Sequence, residues 1–258
     1  MPINLINELI LFLKNRVNIE IYFNTFVNMR DITKKVEATI GKLTRTVTID
    51  TIADLGDSIY RLDTCCTYWL RPCKTITIDS IDYRIQSFVQ NESLTIKGDV
   101  LPTAATFEIT PPFYKHGTPM ATNNELFHVD NDQQLPLVWL LEILTQSVFQ
   151  NEENPLDYSS DLRLFFLDEY DPEDDLTSDI YTDIIRPMQS MVDEFIKEVE
   201  KDGNYNDLDE YKTINWSKFG VYTTNKGSTS KVLDAYLSGI EVKITLEIMK
   251  ITDCNECV

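Results

Sequence analysis

The spacing of hydrophobic and polar positions divides the chain into three stretches. In the first, from Met1 to about Met29, apolar residues recur at helical spacing between Leu5 and Val17. Asn4 stands before them as an N-cap residue. The segment IEIYFNTFV, which starts at Ile19, then alternates at period two with β-forming residues. This stretch therefore predicts a helix, a short turn and a strand.

The second stretch, from about Ile32 to Asp132, is rich in short β-branched segments between polar turns. These segments are TRTVTIDTI, KTITID, DYRIQSFVQ, ESLTIKG and TFEIT. The pairs Asp79-Ser80 and Asn91-Glu92 have the composition of hairpin corners. The pattern predicts a small antiparallel barrel or sandwich. The proline-rich segment PPFYKHGTPMATNNEL, from Pro111, favours an ordered excursion rather than a regular helix or central strand.

The third stretch begins near Gln133 and alternates strands with one long helix. LPLVWLLEIL and DLRLFFLDEY are nearly unbroken apolar runs, typical of strands buried on both faces. KFGVYTT and EVKITLEIMK predict two more strands. Before these two strands and after DLRLFFLDEY, an amphipathic helix is expected to start near Pro187 and to end at an αL cap on Gly203. Its apolar stripe comprises Ile184, Met188, Met191, Val192, Phe195, Ile196 and Val199.

These patterns predict an α+β fold made of two parts. The first stretch has too little core to stand alone, so we expect it to pack against the third. Residues 1–31 and 133–258 would then form one discontinuous α/β domain, a mixed sheet with helices on one face. Residues 32–132 would be an inserted antiparallel β module. We expect Ile19 to Phe26 to lie beside LPLVWLLE or beside the last strand.

Composition narrows the classes of function. The 258 residues are 43% hydrophobic and 10% aromatic, which allows a sizeable core. The 23 basic and 42 acidic residues give a net charge of −19, which disfavours a basic groove for nucleic acid. No apolar run approaches the roughly 20 residues of a membrane span. The run from Leu5 to Leu13 also lacks the basic leader of a signal peptide, so we expect a soluble, intracellular chain.

The sequence offers little catalytic chemistry. It contains no nucleophile-elbow, Walker, Rossmann or H-E-x-x-H motif. The two histidines, His116 and His128, fall in loop-like sequence, where a surface role is the commoner one. The five cysteines, at positions 65, 66, 73, 254 and 257, do not have the spacing of a zinc site, so we expect reduced thiols. We therefore predict no catalytic residue, no metal and no cofactor.

An acidic run joins the second strand of the third stretch to the long helix. Six of the eight residues of DEYDPEDD are carboxylic acids: Asp168, Glu169, Asp171, Glu173, Asp174 and Asp175. The run supplies oxygen ligands for Ca²⁺ or Mg²⁺, but the glycine and closing glutamate of an EF-hand are missing. A solvated loop is the simplest interpretation. In a second interpretation the run lines a channel through which DNA passes without binding. In a third, the chain is a metal-dependent hydrolase that uses the run together with a histidine.

A polar loop near the carboxyl end is a candidate for contacts with a neighbouring subunit. It has the sequence NKGSTSK and lies between two predicted strands, with Trp216 and Tyr222 before it. Its residues are Asn225, Lys226, Gly227, Ser228, Thr229, Ser230 and Lys231.

Several of these segments carry a resemblance to a known class of proteins. They are LPLVWLLE, DLRLFFLDEY with its turn DPEDD, the helix start IIRPMQSMVDEFI, and the late element LDAYLSGIEVKITLEI. In the β-rich stretch, ITIDSIDYRIQSFVQNESLTIKG precedes FYKHGTPMATNNEL. On these segments the chain resembles the tail-terminator or tail-completion proteins of tailed bacteriophages of Bacteroidetes hosts, including the crAss-like group. The shorter terminators lack the β insertion.

The resemblance implies a structural virion protein rather than an enzyme. Such a chain would be one subunit of a homo-oligomeric ring between portal and tail, assembled in the host cytoplasm. Twelve copies are favoured and six are the alternative. Its neighbours would be portal, connector and tail proteins, and DNA would pass close to it without specific binding. A host-directed protein carried inside the virion is a weaker alternative to the ring and the hydrolase.

Overall fold

A computed structural model describes residues 32–128, 135–142, 144–149, 157–173, 176–202, 205, 208, 210–223 and 229–248. The chain forms two compact units, Met1–Ala38 and Thr39–Val258. In the first unit, residues 32–38 begin helix α1, which runs over residues 32–41. The sheets and the remaining helices belong to the second unit. The predicted elements between Leu5 and Phe26 lie outside the described residues.

The β module is antiparallel, as its sequence pattern predicts. Its strands are β1 (Arg45–Thr48), β2 (Thr51–Gly56), β3 (Ile59–Asp63), β4 (Thr75–Ile78), β5 (Ile81–Val89), β6 (Ser93–Lys97) and β7 (Thr106–Ile109). Strands β2-β3-β6-β5-β4 form a five-stranded sheet, and β1 pairs with β7 in a ribbon. The described strands do not form a closed barrel. Strand β3 was not predicted from the sequence.

The two predicted hairpin corners are confirmed. Asp79 and Ser80 join β4 to β5 with φ values of 55° and 65°, and Asn91 joins β5 to β6 with φ of 56°. Positive φ at both Asp79 and Ser80 is the feature of a type I′ turn, and Asn and Asp tolerate positive φ better than most residues. At the β5–β6 corner Asn91 has positive φ, and the Glu92 N–H donates a hydrogen bond of 3.0 Å to the Val89 carbonyl.

The main sheet has six strands and lies beyond the module in sequence. Its strands are β8 (Phe113–Gly117), β9 (Leu137–Leu141), β10 (Thr145–Phe149), β11 (Asp157–Glu169), β12 (Tyr211–Phe219) and β15 (Leu237–Ile248). The order is β12-β15-β11-β9-β8, and β10 pairs with the other half of β11. The parallel pair is β8 with β9, whereas the other pairs are antiparallel. The fold is therefore mixed α+β.

Apolar side chains cover both faces of the centre of this sheet. On one face, Phe166 packs against Phe195 of the long helix, with ring centroids 5.7 Å apart. On the other, Trp139 stacks on Phe165 at 5.1 Å. Phe219 is part of the same buried cluster. Burial on both faces explains why β9 and the centre of β11 read as unbroken apolar runs.

The long helix begins earlier than its sequence predicts. It comprises α3 (Thr177–Ile180), a π-helical turn (Tyr181–Ile185) and α4 (Arg186–Lys201). Pro187 therefore lies inside a continuous helical segment rather than at its start. The wider turn directly before Pro187 suits a residue that lacks an N–H and crowds the preceding turn. The apolar stripe is buried as predicted, whereas Gly203 lies outside the described residues.

The segment after Pro111 departs from its prediction. It forms edge strand β8 and then helix α2 (Pro119–His128), so the expectation that it contains no regular helix is wrong. Pro119 opens the helix, where a missing N–H costs nothing. Because β8 pairs with β9, residues 113–117 belong to the main sheet, although the predicted module extends to residue 132. None of the described helices is long and apolar enough to cross a membrane.

Candidate functional site at the junction of the module and the main sheet

Asp168, the first residue of the acidic run, is fully buried at the junction of the two parts. It lies near the end of β11, and Arg71 reaches it from the loop between β3 and β4. Arg71 Nε and Nη2 donate hydrogen bonds of 2.6 and 2.7 Å to its two carboxylate oxygens. Lys74 Nζ lies 3.2 Å from Oδ1, and the backbone N–H of Glu169 donates to the same oxygen at 2.9 Å.

These contacts hold Asp168 in its charged form. Burial by itself raises the pKa of a carboxyl group, and it is the largest single influence here. The charge of Arg71, the hydrogen bonds from Arg71 and the charge of Lys74 outweigh burial together, so the pKa of Asp168 is held below its usual range. Burial by itself lowers the pKa of Arg71, but the charge of Asp168 and its hydrogen bonds outweigh burial, so that pKa is raised. The cluster is a permanent ion pair at neutral pH.

The burial of Asp168 corrects one part of the prediction for the acidic run. A side chain with 0% exposure does not face a channel or any other solvent-filled space. Its oxygens are also already bound by Arg71, Lys74 and the Glu169 N–H, so it is not an open metal ligand. A single sequence could not reveal this, because the partners lie in the module, 97 residues away for Arg71.

The rest of the run has a different environment. Asp171 and Glu173 are exposed, and Glu169 is half-buried. The backbone N–H of Glu173 donates to Asp171 Oδ1 at 2.9 Å, which closes a local turn. Asp174 and Asp175 lie outside the described residues. The prediction of a surface facing a channel therefore remains for Glu169, Asp171, Glu173, Asp174 and Asp175.

A cleft of about 630 Å³ opens beside the buried ion pair. One wall comes from the module and carries Arg71, Lys74 and Arg84, with Cys73 among them. The opposite wall follows β11 and the start of the long helix. It includes Glu169, Tyr170, Asp171, Asp179, Asp183 and Tyr236. The cleft thus sets a basic wall against an acidic one.

Arg84 of the basic wall has a second cation beside it. Arg84 of β5 lies directly opposite Lys97 of β6 in the antiparallel ladder. Both are exposed, and neither forms an ion pair with a described residue. Like charges at directly opposed positions repel each other. Two cations therefore lie side by side on the surface of the module, although the chain carries a net charge of −19.

A second ion cluster fixes the module to the long helix. Arg45 Nη2 lies 2.6 Å from Glu194 Oε2 and 3.0 Å from Glu198 Oε1. These three side chains are only 14–16% exposed. Burial raises the pKa of Glu194, but hydrogen bonds from Lys197 and Arg45 outweigh it and lower that pKa. Together with Arg71 and Asp168, this cluster attaches the module to the main sheet and its helix at two separate points.

The predicted contact loop is described only in part. Thr229–Lys231 form strand β14, which pairs with β13 (Val221–Thr223). Lys231 Nζ lies 3.8 Å from the centroid of the Tyr236 ring and bonds the carbonyl of Asp234, so this end of the loop is fixed locally. Asn225, Lys226, Gly227 and Ser228 lie outside the described residues, and the predicted role of the loop remains a prediction.

The remaining candidates for chemistry are dispersed. His116 lies on β8, where burial lowers its pKa, and His128 ends α2. Cys65, Cys66 and Cys73 are free thiols, whereas Cys254 and Cys257 lie outside the described residues. Among the described residues, no three His, Cys, Asp or Glu side chains converge as a metal site would require.

The chain matches no protein-family model, no curated protein and no solved structure.

Proposed function

We propose that the chain is a structural subunit of a cyclic ring at the junction between portal and tail of a tailed phage. One observation carries the proposal. The segments that resemble tail-terminator proteins are separated in sequence, yet they form adjacent parts of one core. LPLVWLLE is β9, DLRLFFLDEY is part of β11, and the late element becomes β15, its immediate neighbour. The helix that contains IIRPM packs on β11 through Phe195 and Phe166.

The attachment of the module supports a subunit of constant shape. A ring closes only if every subunit repeats the same contacts at the same angle. Two ion clusters that join the module to the sheet and helix restrict movement of one part against the other. The module would then contribute a fixed surface to the ring or to the tier next to it.

The exposed acids support the same role. Asp171 and Glu173 are exposed beyond the buried Asp168, and the net charge of the chain is −19. Repeated around a ring, such carboxylates repel DNA phosphates rather than hold them. The bore of the ring would then let DNA pass without binding it.

The test is assembly with a neighbour. The chain would be mixed with the portal protein of the same phage, and particles would be imaged by negative stain and weighed by native mass spectrometry. We expect closed rings of twelve copies, with six as the alternative. The variant Arg45→Ala removes the ion cluster with Glu194 and Glu198. It should loosen the attachment of the module and reduce the yield of rings.

Two results would contradict the proposal. One is a chain that is missing from purified phage particles. The other is a compact species of 29.8 kDa that never associates with portal or tail proteins and shows metal-dependent hydrolase turnover.

A further inference from the structure

Strand β12 is a long edge strand of the main sheet. Strand β12 pairs with β15 on one side, and no described strand pairs with its other side. Its first six residues are all exposed. They include Tyr211, Ile214 and Trp216, which are 36%, 38% and 36% exposed. An edge of this kind presents unpaired backbone N–H and C=O groups to any strand of suitable sequence.

The residue types of β12 make pairing favourable. The strand reads YKTINWSKF and contains neither proline nor glycine. Its charged residues, Lys212 and Lys218, flank an uncharged centre from Thr213 to Trp216. Charged residues are a common protection of an edge, but here they leave the middle of the strand open. Ile214 and Trp216 share one face, because they pair with Glu241 and Gly239 of β15.

The sequence of this strand is complementary to itself in one antiparallel register. With Ile214 opposite Ile214 of a second copy, Lys212 lies opposite Trp216 and Thr213 lies opposite Asn215. Two pairs in this register are favourable across strands: Lys212 against the indole ring of Trp216, and Ile214 against Ile214, which are β-branched.

The neighbouring register is worse. Centring the pair on Asn215 places Lys212 and Thr213 opposite the bulge of β12 between Trp216 and Phe219, which interrupts regular pairing. The register centred on Ile214 instead keeps residues 212–216 of both copies in a regular ladder. The bulge therefore disfavours the register centred on Asn215.

We propose that β12 is a self-association edge, which pairs antiparallel with β12 of a second copy about a two-fold axis at Ile214. The pairing continues the sheet from one copy into the next and covers both open edges. This inference does not rest on the proposed ring. A two-fold contact closes on itself, whereas a ring is built from head-to-tail contacts. The β12 dimer is therefore a state of the free chain. On this proposal the two β12 strands separate before a ring forms.

Disulfide trapping tests the register. In the full chain with its five cysteines replaced by serine, Ile214→Cys places two thiols opposite each other, at a separation that a disulfide spans. We expect a covalent dimer after mild oxidation with oxidised glutathione. Tyr211→Cys is the matched control, because its exposure is similar but its counterpart would be about 20 Å away. Equal trapping at both positions, or none at Ile214→Cys, overturns the proposal.

Sedimentation equilibrium tests the association itself. The unmodified chain should show a concentration-dependent mass that approaches twice 29.8 kDa. Ile214→Lys, which places two like charges at the axis, should raise the dimer dissociation constant at least about tenfold, with an unchanged circular dichroism spectrum. Leu55→Lys, at an exposed position on edge strand β2, should leave the constant unchanged. A chain that stays monomeric at every concentration overturns the proposal. This holds both if another segment of the chain covers β12 and if β12 is open but does not self-associate.

Discussion

Arg71 donates two hydrogen bonds to Asp168, and both side chains are withdrawn from solvent, with 13% and 0% exposure. The pair connects a loop of the β module to the end of β11. Lys74 adds a second cation at 3.2 Å. In a low-dielectric site, each charge depends on the other for its stability. Mutation of this pair is therefore the most direct test of how much the junction contributes to the stability of the fold.

Asp168→Asn should lower the free energy of unfolding by about 3–5 kcal/mol, because it leaves the buried charge of Arg71 uncompensated. Urea denaturation followed by circular dichroism measures the loss. Asp63→Asn is the control. Asp63 pairs with Arg61, but those side chains are 38% and 45% exposed, so solvent screens the pair and the change should cost far less than Asp168→Asn. Equal losses of unfolding free energy in the two variants would show that the buried pair stabilises the fold no more than an exposed pair does.

The same carboxylate predicts a dependence on pH. Its pKa in the folded chain is held below its usual range, whereas in the unfolded chain it returns to about 3.9. The stabilisation is fully present above the unfolded pKa and is lost as the pH falls through the folded pKa. The free energy of unfolding should therefore fall more steeply below about pH 4 in the unmodified chain than in Asp168→Asn. Parallel curves from urea titrations at several pH values would contradict this.

The exposed acids predict a kinetic effect in the phage, which rests on the proposed ring. Replacing Asp171, Glu173, Asp174 and Asp175 by asparagine or glutamine should leave assembly unchanged but slow the packaging or ejection of DNA. The defect should be worse at low salt, since charges act over about 8 Å at physiological ionic strength and farther in dilute salt. Time-resolved ejection assays measure it. Unchanged kinetics at every ionic strength would place these acids away from the bore.

Gly239 predicts a packing effect at the centre of the main sheet. A Cβ atom there would lie 1.9 Å from the carbonyl oxygen of Phe166 on the neighbouring strand. Gly239→Ala should therefore destabilise the fold by about 1–3 kcal/mol or more, through displacement of the backbone. Gly41→Ala is the control, because a Cβ at Gly41 meets nothing within 4 Å and alanine favours the helix. Thermal unfolding compares them, and equal midpoints would refute the clash.

The hydrophobic periodicity of the sequence was sufficient to predict those elements that are determined by local backbone geometry. The stripe from Ile184 to Val199 predicted the buried face of the long helix, and Asp79-Ser80 predicted a hairpin corner. These features depend on local backbone geometry and on one buried face, which the sequence carries directly. The apolar runs of β9 and β11 likewise predicted strands with two covered faces.

Only the tertiary structure decided which residues of these elements meet. Asp168 reads as one acid among six, but Arg71 and Lys74 of a distant loop make it a buried ion pair. Pro187 reads as a helix start, yet a π-helical turn lets the helix continue through it. Residues 113–128 read as an excursion, but β9 supplies the partner that makes β8 a strand. For Asp168 and for β8 the deciding energy comes from a contact with a segment distant in sequence, which local periodicity does not encode.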